Sequence, residues 1–533
     1  NRSGTFTVAS HGMLCRMGTG GWRMPIVGSP HGSLEPYPNL SLAELMVGSI
    51  DRWGDRVALV DGVSGAEYDF RALGRAMQVV GGLLRDDGVE PGDRVAIVAP
   101  NSTEWIAAFL GIQAAGAAVT TLSPLSRRRE VEQQFADSKP SAVFVGGEAT
   151  TVVRTLWGSD ERIYDMSSVW QMVVQGGGRS RSVRTAPGGE VAVVAYSSGT
   201  TGMPKGVMLT NRNLVANVHQ LLAPGPLDDS SVMVDFLPFS HIYGMVGLMA
   251  CGLVAGARQV VMPGFDPLLF ARLVEEHQAT NLFVVPPVML DLAQGLEGDW
   301  SSVTHVMTAA APVSAHVVSA VEEACGARVY EGYGLTEASP ATNSTMCGPV
   351  RFGTVGQPLP DTLEMVVDVE SGRAVAFGEV GELWVQGPQV MAGYLNSPEA
   401  TASAIVEDES GRWLRTGDIV TMDRDGYVTI RDRAKEMIKF RGYQVAPAEL
   451  ESVLLEHPGV ADAAVVPVRV NGGDGEIPKA FVVVVPGTDL GPEEVVRYVS
   501  ERVAPYKKVR EVEFIEAIPR SPTGKILRRD LRE

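Results

Sequence analysis

Two hydrophobic patterns alternate along the chain from about residue 39. Apolar residues recur at helical spacing in Leu42–Trp53, Phe70–Asp86 and Thr103–Ala115, and short Val/Ile/Ala runs such as "RVAIVA" at residues 94–99 lie between such stretches. The first pattern predicts amphipathic helices and the second predicts buried strands. The same alternation returns across residues 231–330. Because strand–helix–strand alternation is typical of parallel sheets covered by helices on both faces, we expect an α/β fold with two such sheets.

The pattern changes after Gly353. Short apolar runs are then separated by Gly, Pro and Asp, which predicts antiparallel strands. From residue 447 onward, helix and strand patterns together make a compact α+β unit of about a hundred residues, a plausible separate domain. We expect four segments: a loosely ordered leader at 1–35, a large N-terminal domain at 36–432, a hinge at 433–442 and a small C-terminal domain at 443–533.

Composition narrows the class of protein. The chain has 533 residues, 45% of them hydrophobic, with a formal net charge of -18. That length is greater than a single hydrophobic core usually accommodates. The negative charge argues against a general nucleic-acid binder. The apolar stretches near residues 109–122 and 245–257 are interrupted and fall short of the roughly 18 residues of a transmembrane helix. Four widely spaced cysteines predict neither a disulfide framework nor a zinc site, so we expect a cytoplasmic protein: Cys15, Cys251, Cys325 and Cys347.

The segment "VAYSSGTTGMPKG" at residues 194–206 carries the strongest chemical signal. An apolar strand leads into a loop with four hydroxyl side chains, three glycines and Lys205. Glycine permits close backbone approach, so successive N–H groups can converge on phosphate oxygens, and lysine adds a mobile cation. The spacing does not match a Walker P-loop. The segment therefore predicts a different kind of phosphate-binding loop.

Four further segments follow in order: "YEGYGLTEAS" (330–339), "RTGDIV" (415–420), "RDRAKEMIKFRGYQVAPAELE" (431–451) and "IPRSPTGKILRRDL" (518–531). With the loop at 194–206, they resemble the acyl-adenylate-forming superfamily, which includes acyl-CoA synthetases and 4-coumarate–CoA ligases. The resemblance runs from about residue 39 to the end of the chain.

The resemblance implies a large domain of two helix-flanked β-sheets plus a distorted β-barrel, closed by a small mobile α+β domain. It also implies an AMP-forming acid–CoA ligase. ATP and Mg²⁺ convert a carboxylic acid to acyl-AMP with release of pyrophosphate, and the thiol of coenzyme A then takes the acyl group. The small domain is expected to use two orientations, one for each step, pivoting near Lys435.

The resemblance also assigns residues to roles. Those expected to bind ATP or AMP are Ser197, Ser198, Gly199, Thr200, Thr201, Lys205, Glu331, Gly332, Tyr333, Asp418 and Arg433. The expected catalytic residues are Lys525, Lys439, Glu337 and Thr336, with Glu337 holding the metal. The expected acyl pocket contains His241, Tyr243, Gly247, Ala309, Ala310, Pro340 and Ala341. The expected CoA and hinge residues are Lys435, Arg441, Gly442 and Gln444.

Elementary chemistry agrees with several of these assignments. An aromatic ring between glycines, such as Tyr333, can lie flat against adenine, and the Glu337 carboxylate offers Mg²⁺ hard oxygen ligands. Lys525 lies in S-P-T-G-K, a turn that presents a flexible cation. Attack of a carboxylate on the α-phosphate concentrates negative charge, which such a cation stabilises. No nucleophilic side chain is needed, because the substrate carboxylate is the nucleophile.

Alternatives remain at this point. A stand-alone adenylating enzyme could load the phosphopantetheine of a carrier protein, and a nucleotide-binding regulator could keep the fold without activity. Retention of the lysines and acids above argues against a regulator. The sequence leaves open whether the substrate is a fatty acid or an aryl acid. Glu331 stands where many 4-coumarate ligases have Gln, and Gly264 stands where related ligases often have Lys.

Overall fold

The computed structural model describes most of the chain. The described residues are 7–9, 13–17, 23–159, 161–176, 182–184, 188–197, 204–311, 313–409, 411–433, 436–440, 443–469, 476–503, 505, 507–521 and 524–531.

Strands are numbered here in chain order. They are β1 (Thr7–Ala9), β2 (Met13–Met17), β3 (Arg23–Pro25), β4 (Val27–Gly28), β5 (Val57–Asp61), β6 (Glu67–Asp69), β7 (Arg94–Val98), β8 (Ala118–Thr121), β9 (Ala142–Val145), β10 (Ile163–Asp165), β11 (Val191–Ser197), β12 (Lys205–Thr210), β13 (Val232–Asp235), β14 (Arg258–Val261), β15 (Asn281–Val284), β16 (His305–Thr308), β17 (Arg328–Gly334), β18 (Ala341–Ser344), β19 (Gln357–Pro358), β20 (Leu363–Val367), β21 (Val380–Gln386), β22 (Gly393–Tyr394), β23 (Ile405–Asp408), β24 (Gly411–Met422), β25 (Val428–Arg433), β26 (Ile438–Phe440), β27 (Tyr443–Val445), β28 (Val460–Arg469), β29 (Glu476–Val484) and β30 (Glu511–Phe514).

The helices are α1 (Leu42–Trp53), α2 (Phe70–Asp86), α3 (Thr103–Ala115), α4 (Arg128–Ser138), α5 (Thr150–Trp157), α6 (Val169–Gln175), α7 (Asn211–Leu222), α8 (Cys251–Ala255), α9 (Pro267–His277), α10 (Pro286–Ala293), α11 (Ala315–Cys325), α12 (Pro398–Ala404), α13 (Pro447–Leu455) and α14 (Pro492–Ser500). A π-helical stretch, Tyr243–Ala250, runs directly into α8. Such stretches are rare and often mark functional sites.

Two large sheets form the body of the N-terminal domain, as expected. One has seven strands in the order β10-β9-β7-β8-β11-β12-β22, and the other has nine in the order β19-β18-β17-β16-β15-β13-β14-β5-β6. Their central strands run parallel, with antiparallel strands at the edges. Helices α1, α2, α3, α7 and α8 bury their apolar residues in one core with both sheets. The α/β prediction is therefore confirmed.

A third sheet and a small domain complete the fold. Strands β20, β21, β23, β24 and β25 form an antiparallel sheet with β4, in the place where a distorted barrel was expected. Strands β28, β29 and β30 then make a three-stranded sheet that shares a separate core with α13 and α14. This is the predicted α+β unit.

The leader contains short strands that its sequence did not indicate. Strands β1, β2 and β3 form an antiparallel sheet, and β4 pairs with β20. Val27 is buried in the main core against these later elements. The end of the leader is thus part of the third sheet, while the boundary at residue 35 stays a prediction.

Candidate functional site

The two ends of the predicted phosphate-binding segment lie in the β-hairpin formed by β11 and β12, called the phosphate hairpin below. Strands β11 and β12 are antiparallel, and Ser197 is paired with Lys205 across the hairpin. The hairpin therefore fixes both ends of the glycine-rich loop. Four expected loop residues lie outside the described residues: Ser198, Gly199, Thr200 and Thr201.

Glu337 lies beside this hairpin and accepts two hydrogen bonds on one oxygen. Its Oε1 atom is 3.0 Å from the Ser197 hydroxyl and 2.9 Å from the Tyr394 hydroxyl, both of which donate. The Lys205 ammonium lies over the Tyr394 ring, 5.0 Å from its centroid. Burial, together with the neighbouring Glu337 carboxylate, raises the pKa of Tyr394 well above its usual range. Two predicted residues of the loop and the predicted metal ligand are thus in one cluster.

A tight turn presents Thr336 and Glu337. They begin a short 3₁₀ helix, Thr336–Ala338, between β17 and β18. Before it, the Leu335 amide donates to the Pro340 carbonyl at 2.8 Å. A Cβ atom on Gly334 would lie 2.0 Å from that same carbonyl oxygen. Only glycine therefore fits at this position, which explains the second glycine of the G-Y-G sequence.

The expected adenine and ribose residues are close together. The Tyr333 hydroxyl donates to Asp418 Oδ2 at 2.6 Å, and the Asp418 side chain is buried. Asp418 in β24 is paired in register with Arg433 in β25, although the Arg433 side chain lies outside the described part of the chain. Asp418 is therefore held where it can accept from a polar ligand beside the Tyr333 ring.

Glu331 lies two residues before Tyr333 and is buried. Its backbone amide donates to the Thr345 hydroxyl at 2.9 Å. Burial raises the pKa of its carboxyl to about 7. Near neutral pH the group is therefore close to half protonated and can donate as well as accept hydrogen bonds. At neighbouring Gly332, an added Cβ would make only ordinary contacts with Met307 and Ala309.

Of the residues expected in the acyl pocket, Tyr243 and Gly247 lie in the π-helical stretch and His241 lies just before it. The Tyr243 amide donates to His241 Nδ1 at 3.2 Å, and the Tyr243 hydroxyl lies 3.4 Å from the Met307 carbonyl of β16. A Cβ on Gly247 would be 2.9 Å from the Tyr243 ring. The small residue therefore leaves the tyrosine ring room to span from helix to sheet.

The remaining pocket residues lie at the ends of neighbouring strands. Ala309 and Ala310 follow β16, and Ala310 has a φ of 79°, in the region that favours glycine. Pro340 is buried, and the Ala341 amide donates to Asn217 Oδ1 at 3.1 Å. Since β16, β17 and β18 are adjacent, these residues lie near Glu331 and Tyr333, toward the same end of these neighbouring strands.

Lys525 of the small domain lies close enough to His241 for its charge to act on the imidazole. Burial, together with the Lys525 cation, lowers the pKa of His241 to about 4. The lysine turn is closed by a bond from the Ser521 amide to the Lys525 carbonyl, 2.8 Å long. A Cβ on Gly524 would lie 3.0 Å from Pro287 of the large domain. The lysine turn thus lies next to Pro287 of the large domain, with Lys525 near the segment expected to line the acyl pocket.

The predicted CoA and hinge residues fall largely outside the described residues. This applies to Lys435, Arg441 and Gly442, and to the side chains of Lys439 and Gln444. The backbones of Lys439 and Gln444 are paired across the β26–β27 hairpin. Their roles remain predictions.

Sequence reasoning missed Tyr394 and Glu382. Glu382 accepts from the Arg415 guanidinium at 2.9 Å and from the Gly417 amide at 3.0 Å. It therefore anchors the turn that presents Asp418. A possible signal for Tyr394 was the G-Y pair ahead of "NSPEAT", where a short strand meets a proline-started helix.

The described residues contain no group of three or more His, Cys, Asp or Glu side chains placed to hold a metal ion. Magnesium in nucleotide-using enzymes is commonly bound by one or two carboxylates together with substrate phosphates. The single carboxylate of Glu337, next to the phosphate hairpin, fits that type of site.

The fold is that of a two-domain adenylate-forming enzyme. The ATP-bound crystal structure of MatB from Rhodopseudomonas palustris has a TM-score of 0.84 at 26% identity, covering 92% of this chain and 98% of that one. The apo crystal structure of MatB has a TM-score of 0.75 with the same coverage and identity.

Residues 48–395 match the AMP-binding enzyme family, and residues 449–525 match the AMP-binding enzyme C-terminal domain. The chain belongs to the AMP-binding enzyme family. It is similar to 4-coumarate–CoA ligase 5 of Oryza sativa subsp. japonica, with 38% identity over 90% of this chain and 91% of that protein. It is also similar to peroxisomal OPC-8:0-CoA ligase 1 of Arabidopsis thaliana, with 34% identity over 93% of this chain and 94% of that protein.

These similarities make the protein an AMP-forming acid–thiol ligase, which uses ATP to activate a carboxylic acid and transfers the acyl group to CoA. Within the described residues, no helix is both long and apolar enough to cross a membrane.

Proposed function

We propose that the enzyme forms CoA thioesters of flat aryl-propenoic acids or medium-length acyl chains. The pocket segment supports this proposal, because it combines an aromatic residue, a histidine and several small residues, which suit a flat ring or a medium-length chain. One relative is named for 4-coumarate and another for OPC-8:0. Glu331 favours the longer acyl chains, as in many fatty-acyl synthetases.

In the first step, the substrate carboxylate attacks the α-phosphorus of ATP. A new O–P bond forms, the bond to the bridging oxygen breaks, and pyrophosphate leaves. Lys525 stabilises the charge that develops on the phosphoryl oxygens. His241 is neutral because of its low pKa, so it adds no positive charge that would repel Lys525.

The remaining residues bind and orient. Ser197 and Lys205 hold the phosphates, Tyr333 and Asp418 hold the nucleoside, and Glu337 would hold Mg²⁺, which neutralises phosphate charge. In the second step, the CoA thiol attacks the acyl carbonyl and AMP leaves. Lys439 and Gln444 are proposed to serve that step from the other face of the small domain.

The observation that carries the residue assignment is the position of Lys525 beside His241. It supports an orientation of the small domain suited to adenylation. The higher TM-score against the ATP-bound than against the apo MatB structure is in keeping with this orientation.

Single-turnover kinetics of the two half-reactions test the assignment. Lys525→Ala should slow acid-dependent pyrophosphate release by about 10²–10³, as for a deleted oxyanion donor, because the cation acts in that transition state. It should leave conversion of supplied acyl-AMP and CoA to thioester near normal. It should also raise the pKa of His241, measured by NMR titration. Equal slowing of both steps would contradict the assignment.

The acid class is tested by pyrophosphate release from the unmodified enzyme with cinnamate-type acids, medium-chain fatty acids and acetate. We expect turnover with one or both of the first two classes. Activity confined to acetate would refute the proposed class, whatever the result for Lys525→Ala. Replacing CoA by a carrier protein in the same assay then identifies the acceptor.

A further inference from the structure

Tyr394 stands between the phosphate hairpin and the predicted metal ligand. Its strand, β22, is hydrogen-bonded to β12, with Tyr394 in register with Val207. The following amide, that of Leu395, donates to the Gly206 carbonyl at 2.7 Å. The Tyr394 backbone is therefore attached to the strand that leaves the glycine-rich loop.

The hydroxyl of Tyr394 orients the Glu337 carboxylate. Together with the Ser197 hydroxyl, it gives Oε1 two hydrogen-bond donors. Among the residues that the structure describes, Oε2 of Glu337 has no donor. A carboxylate fixed in this way presents one defined oxygen to a hard cation and keeps the other occupied.

The ring of Tyr394 acts on a different group. The Lys205 ammonium lies 5.0 Å from the ring centroid, within the usual distance of a cation–π interaction. Lys205 and Glu337 thus contact different parts of Tyr394, and within the described residues no ion pair joins the two. Lys205 therefore stays available to a phosphate.

We propose that Tyr394 is a positioning residue that couples the two halves of the MgATP site, its hydroxyl aiming Glu337 at the metal and its ring holding Lys205 for the phosphates. The inference rests on the proposed magnesium role of Glu337. It assigns separate functions to two parts of one side chain, so two substitutions can separate them.

A purely structural tyrosine is the alternative. The backbone of Tyr394 would hold the strand edge without the hydroxyl, because its amide donates to the Thr401 hydroxyl at 2.9 Å. Removing only the hydroxyl should then leave magnesium dependence unchanged. The two explanations therefore differ in a property that folding alone does not alter.

The experiment measures ATP binding by calorimetry without any acid substrate, at a series of Mg²⁺ concentrations. Tyr394→Phe should reduce the gain in ATP affinity caused by Mg²⁺ about three- to tenfold, the effect of one lost hydrogen bond. Tyr394→Leu should also lower metal-free ATP affinity, about two- to fivefold, because the ring contact with Lys205 is lost.

Tyr37→Phe is the matched control, since the Tyr37 hydroxyl also donates to a carboxylate, that of Asp361, at 2.7 Å. It should bind MgATP like the unmodified enzyme. Melting temperatures of all variants check folding, and if Tyr394→Leu unfolds, Tyr394→Phe alone decides the role of the hydroxyl.

Two results would overturn the inference: Tyr394→Phe with unchanged magnesium dependence, or a folded Tyr394→Leu with the same metal-free ATP affinity as Tyr394→Phe. Glu337→Gln tests the premise separately. If it leaves the magnesium dependence intact, the metal assignment itself is wrong. If only Tyr394→Phe has no effect, the metal assignment stands and the positioning role does not.

Discussion

At the scale of single residues, Asp235 is unusual because its acidic side chain is fully buried. It ends β13, is fully buried, and neither carboxylate oxygen has a hydrogen-bond partner among the described residues. Burial raises its pKa to about 8. At neutral pH the side chain is therefore mostly protonated, because an ionised carboxylate without a partner would be costly there.

Stability should consequently depend on pH through this residue. The unfolded carboxyl ionises near pH 4, whereas the folded one stays protonated until about pH 8. Between these values the unfolded state binds fewer protons, so the free energy of unfolding falls as pH rises, by up to about 1.4 kcal/mol per pH unit. Asp235→Asn should flatten this decline, as measured by urea unfolding at pH 5, 7 and 9.

The exposed Asp299 supplies a control for that experiment. Its pKa is lowered by hydrogen bonds from Ser301, so it is ionised throughout this pH range. Asp299→Asn should keep the original slope. An Asp235→Asn variant with an unchanged slope would show that another buried acid, such as Glu364 or Glu331, dominates the pH dependence.

Whether the sequence alone could point to a candidate site residue depends on what positions that residue in the fold. Tyr333, Glu337 and Asp418 stand in segments whose local residue order was enough to predict them as site residues. Tyr394 reaches Glu337 only because β22 pairs with β12, a strand almost two hundred residues earlier in the chain. Such a contact depends on strand pairing, which hydrophobic periodicity does not specify.

At the scale of elements, helix bounds were predictable because local signals set them. Side-chain oxygens of Ser41, Asp69 and Ser102 cap the N-termini of α1, α2 and α3. These bonds satisfy backbone donors at the helix starts. The order of strands within the sheets was not predictable, since β5 lies beside β14 through a long-range crossover.

The turn after β17 makes a strong prediction for Gly334. Gly334→Ala should lower the melting temperature and abolish adenylation, because the new methyl group would overlap the Pro340 carbonyl and force the turn to rearrange. Gly332→Ala is the matched control for stability. Its Cβ would meet the Met307 sulfur at 3.6 Å, an ordinary contact, so its melting temperature should not change. Equal losses in both variants would contradict this account.

At the scale of the whole molecule, the contact of the lysine turn with the large domain should control the first half-reaction. Gly524 has a φ of 78°, and an added Cβ would press on Pro287 at 3.0 Å. Gly524→Ala should therefore disfavour the orientation that places Lys525 beside His241. Pyrophosphate release should slow, while thioester formation from supplied acyl-AMP should be maintained.

Gly487 offers a control in the same domain. It also has a positive φ, 84°, but a Cβ there would meet nothing within 4 Å. Gly487→Ala carries a similar backbone cost without the contact between domains. If both variants slowed pyrophosphate release to the same extent, strain within the small domain would explain the result and the interdomain contact would not.

One hydrogen bond near the expected hinge bears on the balance between the two expected orientations of the small domain. Asp432, in the last strand of the large domain, accepts a hydrogen bond from the Ala448 amide at the start of α13, 3.0 Å away. If the small domain turns about the hinge expected at residues 433–442, which lies between these two residues, we expect this bond to break. Since a hydrogen bond to a charged group contributes about 1.5–3 kcal/mol, its loss corresponds to roughly a ten- to hundredfold shift in population. We therefore expect Asp432 to favour the orientation described above, so that the fraction of time the enzyme spends closed over ATP depends on this one hydrogen bond.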